Sequence, residues 1–286
     1  MSTAVELRIV QKIAEEIGCR APQAAAAVAL LDEGATVPFV ARYRKEVTGG
    51  LDDTQLRTLE ERLGYLRELE DRRAAILASI DEQGKLTPEL AGQIAGAETK
   101  QTLEDLYLPY KPKRRTKAQI AREAGLAPLA EALLADPTLT PENEATNFLN
   151  AEAGFADVKA VLDGARQILM EQFSEDAALL GALREYLNDH GVVKSTVVEG
   201  KETEGAKFRD YFDYSEPLAD IPSHRALALF RGRNEGMLQV ALVLDSELDP
   251  NNKPVGPNPC EGRIAKHAGI TDQGRPADKW LADTVR

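Results

Sequence analysis

The sequence predicts a mainly α fold: an irregular multi-helix array with a helix-turn-helix-like part and a small β component near residues 192–244. Three observations predict it. Apolar content comes from Ala and Leu, while aromatics make up 5% of the 286 residues, which favours helix packing over a sheet sandwich. Apolar residues recur at helical spacing up to His190, punctuated by cap and stop residues. β-Branched residues cluster just after Gly191.

The elements follow in order. Val5–Ile17 carries Leu7, Ile9, Val10, Ile13, Ala14 and Ile17 as a helical stripe, with Gly18 as its stop. Ala21–Leu31 is an Ala-rich helix ending before Gly34. Gln55 to about Gln83 is the longest helix, capped by Asp52 or Asp53 and ended by Gly84. Its Leu56, Leu59, Leu63 and Leu66 are interrupted at Glu70 and Arg73 before Leu77 and Ile80, which argues for packing on neighbours over a long coiled coil. Thr87-Pro88-Glu89 is a helix start, with a capping Thr, Pro at the first helical position and Glu at the positive end. Thr140-Pro141-Glu142 repeats the device, and Gly92 and Gly96 split the stretch between into short helices. Phe155–Phe173 and Glu175–His190 read as a helical hairpin closed by Gly191.

Val192, Val193, Thr196, Val197 and Val198 then favour strand, and residues 237–244 (MLQVALVL) form the clearest strand in the chain. Between them a helix starts at Pro222-Ser223 and runs to about Arg233. Residues 249–259 (DPNNKPVGPNP) read as a turn or linker, and helices resume near Arg263 and Asp278. Three segments result: 1–191 helical, 192–248 mixed α/β, and 249–286 linker and helices.

The net charge of −12 and pI of about 4.9 argue against a polyanion binder that uses its whole surface. A local basic patch remains open, because contact depends on charges within a Debye length of about 8–10 Å. No apolar run approaches the roughly 20 residues of a membrane span, so no membrane partner is expected. The start, Met-Ser-Thr-Ala-Val-Glu, lacks the order of a signal peptide. Cys19 and Cys260 are far apart, and His190, His224 and His267 lie outside ligand spacing with them, which points to a reduced, cytoplasmic setting without zinc. Neither GxxxxGK[ST] nor GxGxxG occurs, and no cofactor is expected. Ser223 and His224 are adjacent and face different directions on a helix, so they make no triad. Asp52-Asp53 and Asp245/Glu247/Asp249 read as caps and loop charges. No catalytic residue or metal ligand is assigned, and the chain is not expected to be an enzyme.

Candidate binding residues are basic. Arg42, Arg44 and Lys45 lie on a turn around Tyr43, suited to phosphate or acidic-partner contact with stacking. The plainer reading, favoured because carboxylates outnumber basic groups, pairs these cations with acids and packs Tyr43 in the core. Lys111, Lys113, Arg114, Arg115, Lys117 and Arg122 form the densest basic run, on an exposed loop that enters a helix. It reads equally as an electrostatic footprint for nucleic acid or an acidic polymerase surface, and as a solvated loop. Residues 116–126 (TKAQIAREAGL) read like the first helix and turn of a helix-turn-helix. Residues 127–135 (APLAEALLA) carry no Arg, Lys, Asn or Gln to read bases, so two packed core helices are favoured. Arg231 and Arg233 suit the C-terminal end of their helix, and a structural role suffices for them.

Residues 37–63 (VPFVARYRKEVTGGLDDTQLRTLEERL), 106–115 (LYLPYKPKRR) and 206–236 (AKFRDYFDYSEP followed by PSHRALALFRGRNEG) resemble the signatures of the Tex family of bacterial transcription accessory proteins. The resemblance runs from about Val5 to Arg286. It implies a helical N-terminal region with a helix-turn-helix-like part. An RNase H-like resolvase-type domain, a helix-hairpin-helix segment and a C-terminal OB-type RNA-binding domain would follow. The plan is similar to that of a eukaryotic transcription elongation factor that handles histones. None of these later domains has a recognisable pattern in the 286 residues, so the chain is expected to be an N-terminal fragment. The implied function is a monomeric scaffold that positions downstream RNA- and DNA-binding domains and contacts the transcription machinery. Direct nucleic-acid binding by the two basic clusters is the alternative, and it requires them to share a face. A nuclease would need converging carboxylates with a metal, and no convincing spacing offers them.

Overall fold

Fourteen α-helices and one three-stranded antiparallel sheet make up the described residues, 3–247 and 258–286, of the computed structural model. The mainly α expectation with a small β component holds. Two units divide the chain, residues 1–110 and 111–286.

The first unit holds α1 (Thr3–Glu16), α2 (Ala21–Asp32), α3 (Val37–Tyr43), α4 (Asp53–Glu82), α5 (Pro88–Gly96) and α6 (Lys100–Tyr107). Asp52 caps α4 by accepting from the Gln55 amide at 2.8 Å, and the Gln55 side chain accepts from the Asp52 amide at 3.2 Å. This capping box satisfies two otherwise orphaned donors. The leucine stripe of α4 is buried as expected and joins Ile13, Val28, Ile94 and Leu103 in one core. Its interruption is not a solvent-facing gap, because Arg73 is itself buried. Two expectations need correction. Gly92 does not break α5, which runs from Thr87, whose side chain caps it, through to Gly96. Leu7 is 66% exposed and stands off the buried stripe of Ile9, Val10, Ile13 and Ala14.

The second unit holds α7 (Lys117–Glu123), α8 (Ala127–Ala135), α9 (Pro141–Ala145), α10 (Val158–Ser174), α11 (Ala177–His190), β1 (Gly191–Val197), β2 (Asp213–Pro217), α12 (Ser223–Asn234), β3 (Leu238–Leu244), α13 (Pro259–His267) and α14 (Asp278–Val285). Its larger core gathers Ala118, Ala121, Leu129, Leu133, Ile168 and Leu169 with Ile270, Trp280 and Leu281. The sheet order is β2-β1-β3, with Val193 opposite Leu242 and Ser195 opposite Val240 and Tyr214. A smaller core of Phe208, Leu229, Met237 and Leu238 lies with α12 against it.

Several local differences have physical causes. Strand β2 was not legible, because DYSEP is polar, proline-ended and at most half-buried. Thr140 and Ser223 make no side-chain cap bond; Pro222 takes the cap position of α12. Gly191 follows α11 directly as the first residue of β1, with φ −78°, so it supplies room and not a left-handed turn. A Cβ there would stand 2.2 Å from the Leu187 carbonyl oxygen. The contacts divide the chain at 110/111, whereas the segments read from sequence end at 191 and 248. Residues 249–257 of the expected linker lie outside the described residues, and α13 and α14 join the core of the second unit. Among the described residues no helix is long and apolar enough to cross a membrane.

The start of α14 is tied by Asp278, whose carboxylate accepts from the Gln273 amide at 2.7 Å, the Arg275 amide at 2.9 Å and Arg275 Nε at 2.9 Å. The Arg275 guanidinium and these amides hold the carboxyl down at about 2, below its ordinary 3.8. Because the folded value is depressed, the stabilisation is complete above the ordinary value and is lost as pH falls towards 2. Urea unfolding monitored from pH 5 to pH 2.5 is therefore expected to show a stability drop that Asp278→Asn reduces. An identical pH profile in the variant would remove Asp278 from the acid response.

Candidate functional site

The connection from α3 to α4 is built to display its side chains. Pro38 sits in the first turn of α3, where its fixed φ suits a helix start. Helical spacing turns Val37 and Val40 inward. Phe39 and Tyr43, four residues apart, then share the outer face at 42% and 59% exposure, with ring centroids 5.4 Å apart. Arg42 lies in the last turn, Arg44 at the C-cap and Lys45 in the turn beyond. The Arg44 guanidinium lies 5.7 Å from the Phe39 ring centroid. The plainer reading of this cluster is thus overturned on both counts. Tyr43 is exposed, on the face of α3 that it shares with Phe39. Arg42, Arg44 and Lys45 are all exposed and make no ion pair among the described residues, although Glu46 follows them directly.

The loop beneath these side chains is anchored. Thr48 is fully buried, and its hydroxyl donates to the Arg44 and Lys45 carbonyls, each at 3.4 Å. The Gly50 amide donates to the Lys45 carbonyl at 2.8 Å. From α2, Gln23 Nε2 donates to the Thr48 carbonyl at 3.2 Å and the Gly49 carbonyl at 2.9 Å. Gly49 has φ 64°, and a Cβ there would stand 2.8 Å from Gln23 Nε2. Glycine is therefore favoured by the left-handed backbone, and a side chain there would also push on the Gln23 amide that clamps the loop.

The dense basic run in the second unit behaves differently. Lys113 pairs with Glu175, Arg122 with Glu171, and Arg115 with Glu123. Thr116 adds a hydrogen bond to Glu171 at 2.9 Å. Burial acts to raise the Glu171 carboxyl, but hydrogen bonds from Arg122 and Thr116 outweigh it and the net shift is downward. The carboxyl of Glu123 is lowered chiefly by its hydrogen bond from Arg115. Half of this run thus ties the 111–116 loop and α7 together and to the end of α10. Lys111, Arg114 and Lys117 remain exposed and make no ion pair among the described residues.

Arg231 and Arg233 lie near the end of α12. Arg231 pairs with Glu235 at 2.9 Å, and Glu235 also takes Lys207 at 2.5 Å. The Arg233 guanidinium lies 5.4 Å from the Phe230 ring centroid, at an apolar groove that Leu229, Val240 and Leu242 also line. The helix-turn-helix-like pair is α7 and α8. Leu129, Ala130 and Leu133 of α8 are buried in the core, and the helix has no basic or amide side chain. Among the described residues no group of three or more His, Cys, Asp or Glu could hold a metal ion.

The sequence marked the cations of 42–45 and left Tyr43 either stacking or packed in the core, but it did not mark Phe39. The i, i+4 aromatic pair beside Pro38 was the available signal, and it needed the assignment of α3 as a helix.

The family described as Tex-like protein N-terminal domain matches residues 7–81, and the one described as Tex central region-like matches residues 136–286. The chain is 58% identical over 284 residues to Protein tex of Bordetella pertussis, covering 98% of this chain and 35% of that protein. It is 55% identical over 281 residues to Transcriptional accessory protein Tex of Neisseria gonorrhoeae, covering 98% and 36%. It is 30% identical over 240 residues to S1 RNA-binding domain-containing protein 1 of Pongo abelii, covering 81% and 24%. The chain therefore spans little more than a third of the length of the bacterial relatives, and less of the primate one.

Proposed function

We propose a role that starts from one premise: the chain belongs to the Tex family of transcription accessory proteins. In this role it is a non-catalytic, cytoplasmic scaffold. Its two units present surfaces to the transcription machinery and position RNA- or DNA-binding domains elsewhere in the protein. The observation that carries the reading is identity of 55–58% across 98% of the chain with relatives named for transcription accessory work. The primate relative's name adds support for nucleic-acid association in the whole protein. The paired cations Lys113, Arg115 and Arg122 weigh against the 111–122 run as a large phosphate-binding face, since each is already engaged by a carboxylate. Direct nucleic-acid contact draws its support from the other cluster, Arg42 to Lys45.

Purified bacterial RNA polymerase, treated with nuclease, tests the scaffold reading directly. Biolayer interferometry with the 286-residue chain immobilised is expected to give saturable polymerase binding that persists at about 0.15 M salt. Failure of polymerase to bind at that salt would sink the protein-contact reading, whatever the chain does with nucleic acid.

A further inference from the structure

We infer that the outer face of α3 and the turn after it form a binding site for single-stranded nucleic acid, with Phe39 and Tyr43 as the stacking platform and Arg42, Arg44 and Lys45 as the phosphate contacts. The site goes beyond the scaffold role and stands whether or not polymerase binds.

Three observations meet here. First, the cations are available. The chain carries 47 carboxylates against 35 Lys and Arg, yet these three neighbouring cations make no ion pair among the described residues. Where the chain uses cations for cohesion it pairs them, as with Arg62 and Glu16 or Arg67 and Asp32 in the same unit. Second, the aromatic rings face solvent. Phe39 and Tyr43 expose 42% and 59% of their surface, and Val47 in the turn that follows is 48% exposed. Third, the platform is held in place. Thr48 is fully buried under the turn, and Gln23 clamps the backbone at Thr48 and Gly49.

The ligand class follows from the combination. Single-stranded nucleic acid offers flat bases for rings and a phosphate line for cations, and stacking tolerates any base. Arg44 beside the Phe39 ring provides a second planar surface within the same platform. An acidic peptide would satisfy the three charges but offers no regular flat partner for two rings. A duplex keeps its bases stacked on one another and leaves the rings unused. Nothing in the cluster distinguishes ribose from deoxyribose, so the site is expected to accept RNA and DNA strands alike.

Fluorescence anisotropy of the 286-residue chain with a labelled 12-residue oligo(U) and a 12-residue oligo(dT) tests this across a salt series. Binding should appear at about 50 mM salt and fall with a log–log slope near −2, as about 0.7 per contacted phosphate predicts for three contacts. The triple variant Arg42→Ala/Arg44→Ala/Lys45→Ala should abolish most of that slope. Tyr43→Ala should weaken binding about 10-fold, while Tyr43→Phe, which keeps the ring, should bind as the parent does. Lys113→Ala/Arg114→Ala/Arg115→Ala should leave most of the binding intact. Circular dichroism melting of each variant establishes that it is folded. The proposal is overturned if the parent chain binds neither strand at low salt, or if folded Tyr43→Ala and triple variants bind undiminished. It is equally overturned if a labelled oligoglutamate binds at this face and both strands fail to, which would assign the patch to an acidic protein. None of these outcomes depends on polymerase binding, so this site and the scaffold role fail separately.

Discussion

Trp280→Ala is expected to destabilise the second unit by about 3–5 kcal/mol, the usual range for removing a buried aromatic. Trp280 is 7% exposed and shares a buried cluster with Leu126, Ile168 and Leu169, which lie far earlier in the chain. The Arg166 guanidinium lies 5.9 Å from its ring centroid, and the Ala277 amide ties the start of α14 to the Pro137 carbonyl at 3.1 Å. Trp280 Nε1 is buried with no hydrogen-bond partner among the described residues. Trp280→Phe should therefore be mild, under about 1.5 kcal/mol, because it keeps most of the volume and removes an unsatisfied donor. Urea unfolding followed by far-ultraviolet circular dichroism is the suitable measurement, since the chain has a single tryptophan and the variant lacks it. An alanine variant within about 1 kcal/mol of the parent would show that residues 258–286 are an appendage and not part of this core.

Arg73→Met should cost the first unit about 3 kcal/mol, although it replaces a charged residue by an apolar one in a buried position. Arg73 is 8% exposed on α4. It donates to the carbonyls of Ile94, of Ala95 at 3.0 Å and of Ala97 at 2.9 Å, and lies 3.3 Å from the Glu70 carboxylate. These carbonyls end α5, where helix geometry leaves acceptors without intrahelical partners. Methionine fills the space but removes the guanidinium donor from all three carbonyls, of which Ile94 keeps the Ala97 amide at 3.3 Å, and it also removes a charge partner from Glu70. Arg73→Lys should recover only part of the loss, because one ammonium does not reproduce the planar fork. Thermal and urea unfolding of both variants decides the matter. A methionine variant as stable as the parent would mean that water replaces the guanidinium at these carbonyls.

The two positions also show what a sequence conveys. Arg73 looked like a break in the α4 stripe, since hydrophobic periodicity counts a guanidinium as polar wherever it sits. Only the approach of α5, more than 20 residues later, makes it a core residue. The helix α3 was missed because seven residues give too little periodicity, and with it the pairing of Phe39 with Tyr43. Local chemistry was more reliable: the Asp52 cap, the Thr87-Pro88 start and strands β1 and β3 all follow from residues within one turn or one strand.

The sequence by itself determined the mainly α fold, most helix limits and the places where positive charge concentrates, because these depend on neighbours in the chain. Tertiary structure decided which charges are spent on cohesion. Lys113 meets Glu175 across 62 positions and Arg122 meets Glu171 across 49, so no local pattern announces either pair. Arg42, Arg44 and Lys45 meet no such carboxylate among the described residues, although their sequence is just as basic. An ion pair requires two side chains within about 4 Å, and only the packing of α10 against α7 and the outward face of α3 determine which cations reach that distance.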